Sequence, residues 1–257
     1  MMKVNTIFND TTKERLLSVY FTAGYPTLDS TITIAKGLEE AGVDFLEIGF
    51  PYSDPVADGP VIQHSSEEAL KNGMTLALLF EQLKALREHV TIPVFLMGYF
   101  NPVLQFGVER FCAACAEVGV NGAIIPDLPM YEYEELYQPV FEKHGISNIF
   151  LITPQTSEER IKKIDKLSTS FIYVLSSNAT TGKNLTVQDT SKAYFQRLKA
   201  MELENPLVIG FGIANADTFQ KATDYAKGAI VGTAFVRTLD KPDYMQHIDN
   251  FVKSIRS

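Results

Sequence analysis

Short apolar, β-rich runs alternate with amphipathic stretches along the whole chain. The runs are LLSVYFTA (Leu16 to Ala23), VDFLEIGF (Val43 to Phe50), PVFLMGY (Pro93 to Tyr99) and GAIIPD (Gly122 to Asp127). They continue with NIFLIT (Asn148 to Thr153), FIYVLS (Phe171 to Ser176), LVIGFG (Leu207 to Gly212) and GAIVG (Gly228 to Gly232). Between them lie helix-length segments such as TLDSTITIAKGLEEAG, MTLALLFEQLKALREHV, VERFCAACAEVG and YEYEELYQPVFEKHG, several ending in the glycine that commonly stops a helix. Eight strand-then-helix units predict an α/β fold in which a parallel sheet closes into a (β/α)8 TIM barrel. MMKVNTIFNDTTKE reads as an extra N-terminal helix closing the bottom of the barrel, and VIQHSSEEALKNG as a helix inserted after strand 2. No Pro/Gly/Ser-rich linker interrupts the pattern, so residues 1–257 read as a single barrel domain.

Composition narrows the picture further. The 257 residues, 46% of them apolar, suffice for one large core. With 23 basic against 31 acidic residues the net charge is −8, and no basic run offers a surface for nucleic acid. The first residues lack the apolar centre of a signal peptide, and no apolar stretch reaches the roughly 18 residues of a membrane span, so a cytoplasmic protein is expected. Cys112 and Cys115 form a lone C-x-x-C inside a helical pattern, where positions i and i+3 share a face; two buried structural thiols are expected rather than a zinc or redox site.

In a closed parallel barrel the chemistry sits at the C-terminal ends of the strands. There, LEIGFPYSDPVADGP (Leu46 to Pro60) places Glu47 inside an apolar run and follows it with a loop carrying Asp54 and Asp58. Side chains alternate along a strand, so if Leu46 and Ile48 face the helices, Glu47 faces the barrel mouth. A carboxyl there is desolvated, which raises its pKa toward the range of a general acid or base. The competing reading is a structural Glu paired with a cation, although no cation ends another strand. The loop leaves the strand that carries Glu47 and can return Asp58 to the same pocket.

Glycine-rich turns, IGFGIAN and VGTAFV, end the last two strands, where barrels commonly bind phosphate on loop N–H groups and a short helix; Gly212, Gly232 and Thr233 are the candidate contacts. The long polar loop SSNATTGKNLTVQD reads as a lid that brings Thr181 and Gly182 to the site, or else as a disordered surface loop, with its length favouring the functional reading. No strand ends in the Lys of a Schiff-base aldolase, and His64, His89, His144 and His247 all fall away from the strand ends, so no metal site is expected. Two carboxyls and a phosphate clamp suit proton transfer on a small phosphate ester that supplies its own electron sink.

LEIGFPYSDPVADGPVIQ closely resembles the signature of the tryptophan synthase alpha subunit family, and YFTAGYPT, LMGYFNPV, IIPDLP, VIGFGI and GAIVGTAFV match it in order along essentially the whole chain. The resemblance implies cleavage of indole-3-glycerol phosphate to indole and glyceraldehyde 3-phosphate, with no cofactor in this chain and a PLP-containing beta subunit as partner in an alpha2beta2 assembly. It assigns Glu47 as the acid/base and Asp58 as acceptor of the ring N–H. Gly182, Phe211, Gly212, Gly232 and Thr233 would bind the phosphate end, Tyr99 and Tyr173 would line the indole side, and Thr181 would pair with Asp58. The chain departs from the family pattern at Ala179 and Thr180, where Gly-Val is usual, at Thr233 for Ser and at Tyr52 for Phe. Pro51, Asp54 and the loop Gly98 to Gly107, with Val103, Leu104 and Phe106 exposed, are expected to meet the partner, the alternative being that these apolar residues pack internally. A free-standing lyase and a catalytically silent module that activates the partner remain as alternatives.

Overall fold

The alternation within each apolar run becomes two apolar layers, one inside a ring of strands and one between that ring and its helices. The computed structural model describes residues 5–175, 189–210 and 212–257. Among these residues nine strands form: β1 (Leu16–Thr22), β2 (Phe45–Gly49), β3 (Val94–Met97), β4 (Gly122–Ile124), β5 (Ser147–Ile149), β6 (Leu151–Ile152), β7 (Ile172–Leu175), β8 (Leu207–Gly210) and β9 (Gly228–Val231). Every pairing is parallel, in the order β5-β4-β3-β2-β1-β9-β8-β7-β6.

Eight runs give nine strands because the fifth changes partners along its length. Ile149 of β5 pairs with Ile124 of β4, Leu151 of β6 pairs with Tyr173 of β7, and the Phe150 carbonyl between them accepts the Tyr173 N–H at 2.9 Å. One continuous segment thus joins the two ends of the sheet, and the (β/α)8 TIM barrel follows. Strands stop earlier than the apolar runs: GAIIPD leaves the sheet after Ile124, ahead of Pro126, which has no N–H to give a ladder.

Leu17, Val19, Leu46, Ile48 and Leu96 belong to the outer layer, whereas Leu16, Phe45, Phe95, Ile124, Phe171 and Ile230 fill the barrel. Glu47, between Leu46 and Ile48 and two residues on from Phe45, therefore faces inward. The N-terminal helix (Asn5–Asn9) plugs the opposite end: the Phe8 ring lies 5.1 Å from Phe45, 5.0 Å from Phe171 and 6.4 Å from Phe95. After β2, the loop runs into the inserted helix Pro60–Lys71, with proline in its first turn, where a missing N–H costs nothing.

Four expectations are corrected. The stretch Gly98 to Gly107 is not a loop, because Phe100–Phe106 is helical. Its inward face buries Val103, and Phe106 packs 5.4 Å from Phe80 under the Arg110 guanidinium, leaving Leu104, 50% exposed, as the apolar side chain that meets solvent. Pro51 is likewise buried, while Asp54 is exposed. The helix expected over YEYEELYQPVFEKHG is three pieces, Met130–Glu132, a π turn over Tyr133–Tyr137, and Gln138–His144. Pro139 has no N–H for the Glu135 carbonyl and crowds it, and the wider turn, closed by Gln138 N–H on the Tyr133 carbonyl, relieves that crowding. The stretch MTLALLFEQLKALREHV breaks into Leu76–Leu83 and Leu86–His89. Cys112 and Cys115 are buried in the helix Val108–Val118 as free thiols. Among the described residues no helix is long and apolar enough to cross a membrane.

If Phe8 is the plug of the barrel floor, Phe8→Ala should lower unfolding free energy by about 3–5 kcal/mol in urea at pH 7. A loss below about 1 kcal/mol would show that the N-terminal helix does not close the core.

Candidate active site

Glu47 is 0% exposed, and neither carboxyl oxygen has a hydrogen-bond partner among the described residues. Among the described residues no salt bridge reaches it, and none supplies the cation that a paired structural acid would need. Burial, with no cation among the described residues to offset it, pushes its pKa up to about 8.

Two phenols flank it, Tyr173 buried and Tyr20 half-buried. Tyr20 of β1 is the register partner of Glu47, and its hydroxyl leans over β2 into the place a side chain on Gly49 would take, 2.2 Å from that position. Tyr173 of β7 does the same on the other side of the barrel, its hydroxyl 2.0 Å from where a Gly210 side chain would begin. Glycine at these two strand ends is what lets a phenol lie across the mouth. Burial raises both phenol pKa values, and the Glu47 and Asp58 charges add to the shift, which ties both rings to both acids.

Asp58 arrives from the loop, half-buried, and its carboxylate accepts the Tyr99 hydroxyl at 3.2 Å. The same hydroxyl accepts the Ala57 N–H at 3.0 Å, so one phenol fixes both the backbone and the side chain of the loop. Gln63, on the helix that follows, donates to the Asp58 carbonyl at 2.9 Å and the Pro55 carbonyl at 3.3 Å. Burial lifts the Asp58 pKa to about 6, with the Tyr99 bond opposing. Tyr99 thus sits beside Asp58 as its holder, with Tyr52 packed 5.3 Å from its ring.

Gly212, with φ of +80°, follows β8, and Gly232 follows the neighbouring β9 and caps the short helix Thr233–Val236. These turns lie at the same end of the barrel as the two acids. Thr181, Gly182 and Phe211, together with Ala179 and Thr180 of the expected lid, lie outside the described residues. Asp127, another strand-end acid, accepts the Phe100 N–H at 2.8 Å and caps a helix. Among the described residues no group of three or more His, Cys, Asp or Glu could hold a metal ion.

Tyr20 is the residue that inspection of strand ends passes over. Its signal was present: Ser18, Tyr20 and Thr22 alternate with Leu17, Val19 and Phe21, a polar face on a strand otherwise buried on both sides.

The fold and this arrangement define a parallel-barrel enzyme class with its chemistry at the strand ends. The family model described as tryptophan synthase alpha chain matches residues 8–255, and the chain belongs to that family. It is 54% identical over 242 residues to the tryptophan synthase alpha chain of Flavobacterium psychrophilum, covering 94% of this chain and 95% of the relative. The alpha chain of Bacteroides thetaiotaomicron is 49% identical over 241 residues, 94% of each. Among solved structures, Mycobacterium tuberculosis tryptophan synthase superimposes with a TM-score of 0.89 at 28% identity, over 99% of this chain and 96% of that one. A mutant tryptophan synthase alpha-subunit from Pyrococcus furiosus gives 0.86 at 33%, over 95% and 98%.

The Glu47 environment carries a stability signature. Its folded-state pKa lies above that of the unfolded chain, so the fold holds the proton that the unfolded chain releases, and stability is lost as pH rises from about 4.5 through about 8. Glu47→Gln removes this dependence. The stability of the variant relative to the parent should therefore grow by about 3–4 kcal/mol between pH 5 and pH 8.5 in urea unfolding. A gap that stays constant with pH would show that Glu47 titrates normally.

Proposed function

We propose that this chain cleaves indole-3-glycerol phosphate to indole and glyceraldehyde 3-phosphate, a carbon–carbon lyase reaction, as the alpha subunit of a tryptophan synthase. The observation that carries the reading is a pair of carboxyls at one barrel mouth with separated pKa values, about 8 for Glu47 and about 6 for Asp58. Near neutral pH the first holds its proton and the second carries charge, which divides the labour of acid and electrostatic stabiliser between them.

Glu47 gives its proton to C3 of the indole ring, and the ring nitrogen takes up positive charge. Asp58 accepts the N–H hydrogen bond and stabilises that charge. The Glu47 carboxylate then removes the proton of the side-chain hydroxyl on the carbon attached to C3. That oxygen forms the aldehyde as the C3 to side-chain bond breaks, and the bonding pair returns to the ring, neutralising the nitrogen. Glu47 ends protonated, ready for the next turn, and the chain's own carboxyls account for every proton moved.

The glycine turns at Gly212 and Gly232 with Thr233 are assigned to the phosphate, together with Gly182 and Phe211, and Thr181 to Asp58 on closure of the lid. Tyr173 and Tyr99 flank the indole. Family membership and the similarity to a tryptophan synthase complex from Pyrococcus furiosus support a beta-subunit partner; to that pair we assign an alpha2beta2 assembly with pyridoxal phosphate in the partner rather than here. Asp54 and Leu104, exposed on the strand-end side, are the side chains we assign to that contact.

The test is indole formation from indole-3-glycerol phosphate by the purified chain, alone and with its cognate beta chain. Turnover that rises strongly with the partner supports the reading. High turnover alone would make it a free-standing lyase, and none in either case a silent module. kcat/KM should rise with pH through about 6 as Asp58 ionises and fall through about 8 as Glu47 does. Glu47→Gln and Asp58→Asn should each lose about 10²–10⁴-fold with folding intact; near-normal activity in the Gln variant would remove Glu47 from the mechanism.

A further inference from the structure

Three hydroxyls, those of Ser65 and Thr22 buried and that of Tyr20 half-buried, run from the inserted helix to the barrel mouth. Ser65 Oγ, on the helix Pro60–Lys71, donates to the Ile62 carbonyl at 2.9 Å. Ser65 Oγ and Thr22 Oγ1 lie 2.7 Å apart, and Thr22 Oγ1 and the Tyr20 hydroxyl 3.4 Å apart. A hydroxyl has a single proton to donate. Either hydroxyl of the Thr22–Ser65 pair could donate to the other; with the Ser65 proton on the Ile62 carbonyl, the donor is Thr22. Its proton spent, Thr22 only accepts from Tyr20, whose own proton is thereby drawn away from the site.

The place where this chain ends gives it meaning. Tyr20 is the register partner of Glu47 on the same inward face, and its oxygen occupies the next inward position along β2, over Gly49. The chain begins on the helix that directly follows Asp58, so the element carrying one acid sets the polarity beside the other.

We infer that the Ser65–Thr22–Tyr20 hydroxyl chain has a fixed direction that turns the phenol proton away from Glu47, and so withholds from the buried carboxyl the donor that would stabilise its ionised form. Tyr20, Thr22 and Ser65 are positioning residues on this account. Its catalytic weight rests on the reaction proposed above, whereas the chain and its effect on Glu47 do not. The titratable groups that face Glu47 are Tyr20 from β1, Tyr173 from β7 and Asp58 from the loop after β2, with no cation among the described residues.

Reversing the chain should reverse the effect. Without Ser65, the Thr22 proton turns to Tyr20, and the phenol proton is free to reach the Glu47 carboxylate and stabilise it. The experiment follows the Glu47 side-chain carbon by ¹³C NMR against pH in the ligand-free protein, with no substrate. Ser65→Ala and Thr22→Val should lower the Glu47 midpoint by about half a pH unit, roughly a threefold change in proton affinity. Thr22→Ser, which keeps the hydroxyl, should leave it in place, and in a Tyr20→Phe background Ser65→Ala should have no effect. A midpoint unmoved by Ser65→Ala and Thr22→Val, or a shift that persists without the Tyr20 hydroxyl, overturns the inference. Indole formation measured on the same samples separates the two readings. Midpoints that move as stated in a protein that cleaves no indole-3-glycerol phosphate sustain the chain and refute the reaction, and the converse refutes only the chain.

Discussion

A carboxyl buried without a partner costs free energy, and the barrel keeps one at Glu47 and arranges its mouth around it. A cation beside it would relieve the cost and hold it ionised. A hydrogen-bonded network would spread the charge. Among the described residues neither is supplied: both oxygens of Glu47 lack a hydrogen-bond partner and its shift comes from desolvation. What remains is to keep the proton, and a carboxyl that keeps its proton near neutral pH is a general acid. Stability and chemistry thus meet at one side chain, and the apolar floor of Phe45, Phe95, Phe171 and Phe8 both closes the barrel and creates the low-dielectric setting.

The second acid is handled the opposite way. Asp58 lies on a loop bent by Pro51, Pro55 and Pro60, is only partly buried, and has the Tyr99 hydroxyl to accept from. These differences hold it about two pKa units below Glu47. Tyr99 does more than line the pocket: by accepting from Ala57 while donating to Asp58, it sets the loop's backbone and the carboxylate together. Tyr20 and Tyr173 reach across neighbouring strands because Gly49 and Gly210 leave the space, so two small residues on β2 and β8 decide what stands over the acid.

Much of this was legible in the sequence. The inward direction of Glu47 follows from strand alternation, and the barrel from the repeated strand-then-helix pattern, because both depend on local periodicity. What was not legible depends on contact between distant segments. Nothing in NIFLIT announces that Phe150 is where one strand trades neighbours, since the apolar pattern runs through it unbroken. Val103 reads as exposed because a seven-residue helix with Pro102 in its first turn is too short to show its period. Tyr20 was passed over because the strand-end rule looks for residues at the last positions, whereas this phenol reaches the mouth from within the strand and over its neighbour's glycine.

The account stands on Glu47 being protonated at neutral pH, and infrared difference spectroscopy reads that directly in the ligand-free chain. The parent minus Glu47→Gln spectrum at pH 7 should contain the carbonyl stretch of a neutral, weakly hydrogen-bonded carboxylic acid. That band should give way to carboxylate absorption as pH passes about 8. A spectrum showing only carboxylate at pH 7, with the acid band appearing near pH 4.5, would contradict the account, because Glu47 would then be a solvated or paired acid with no proton to deliver.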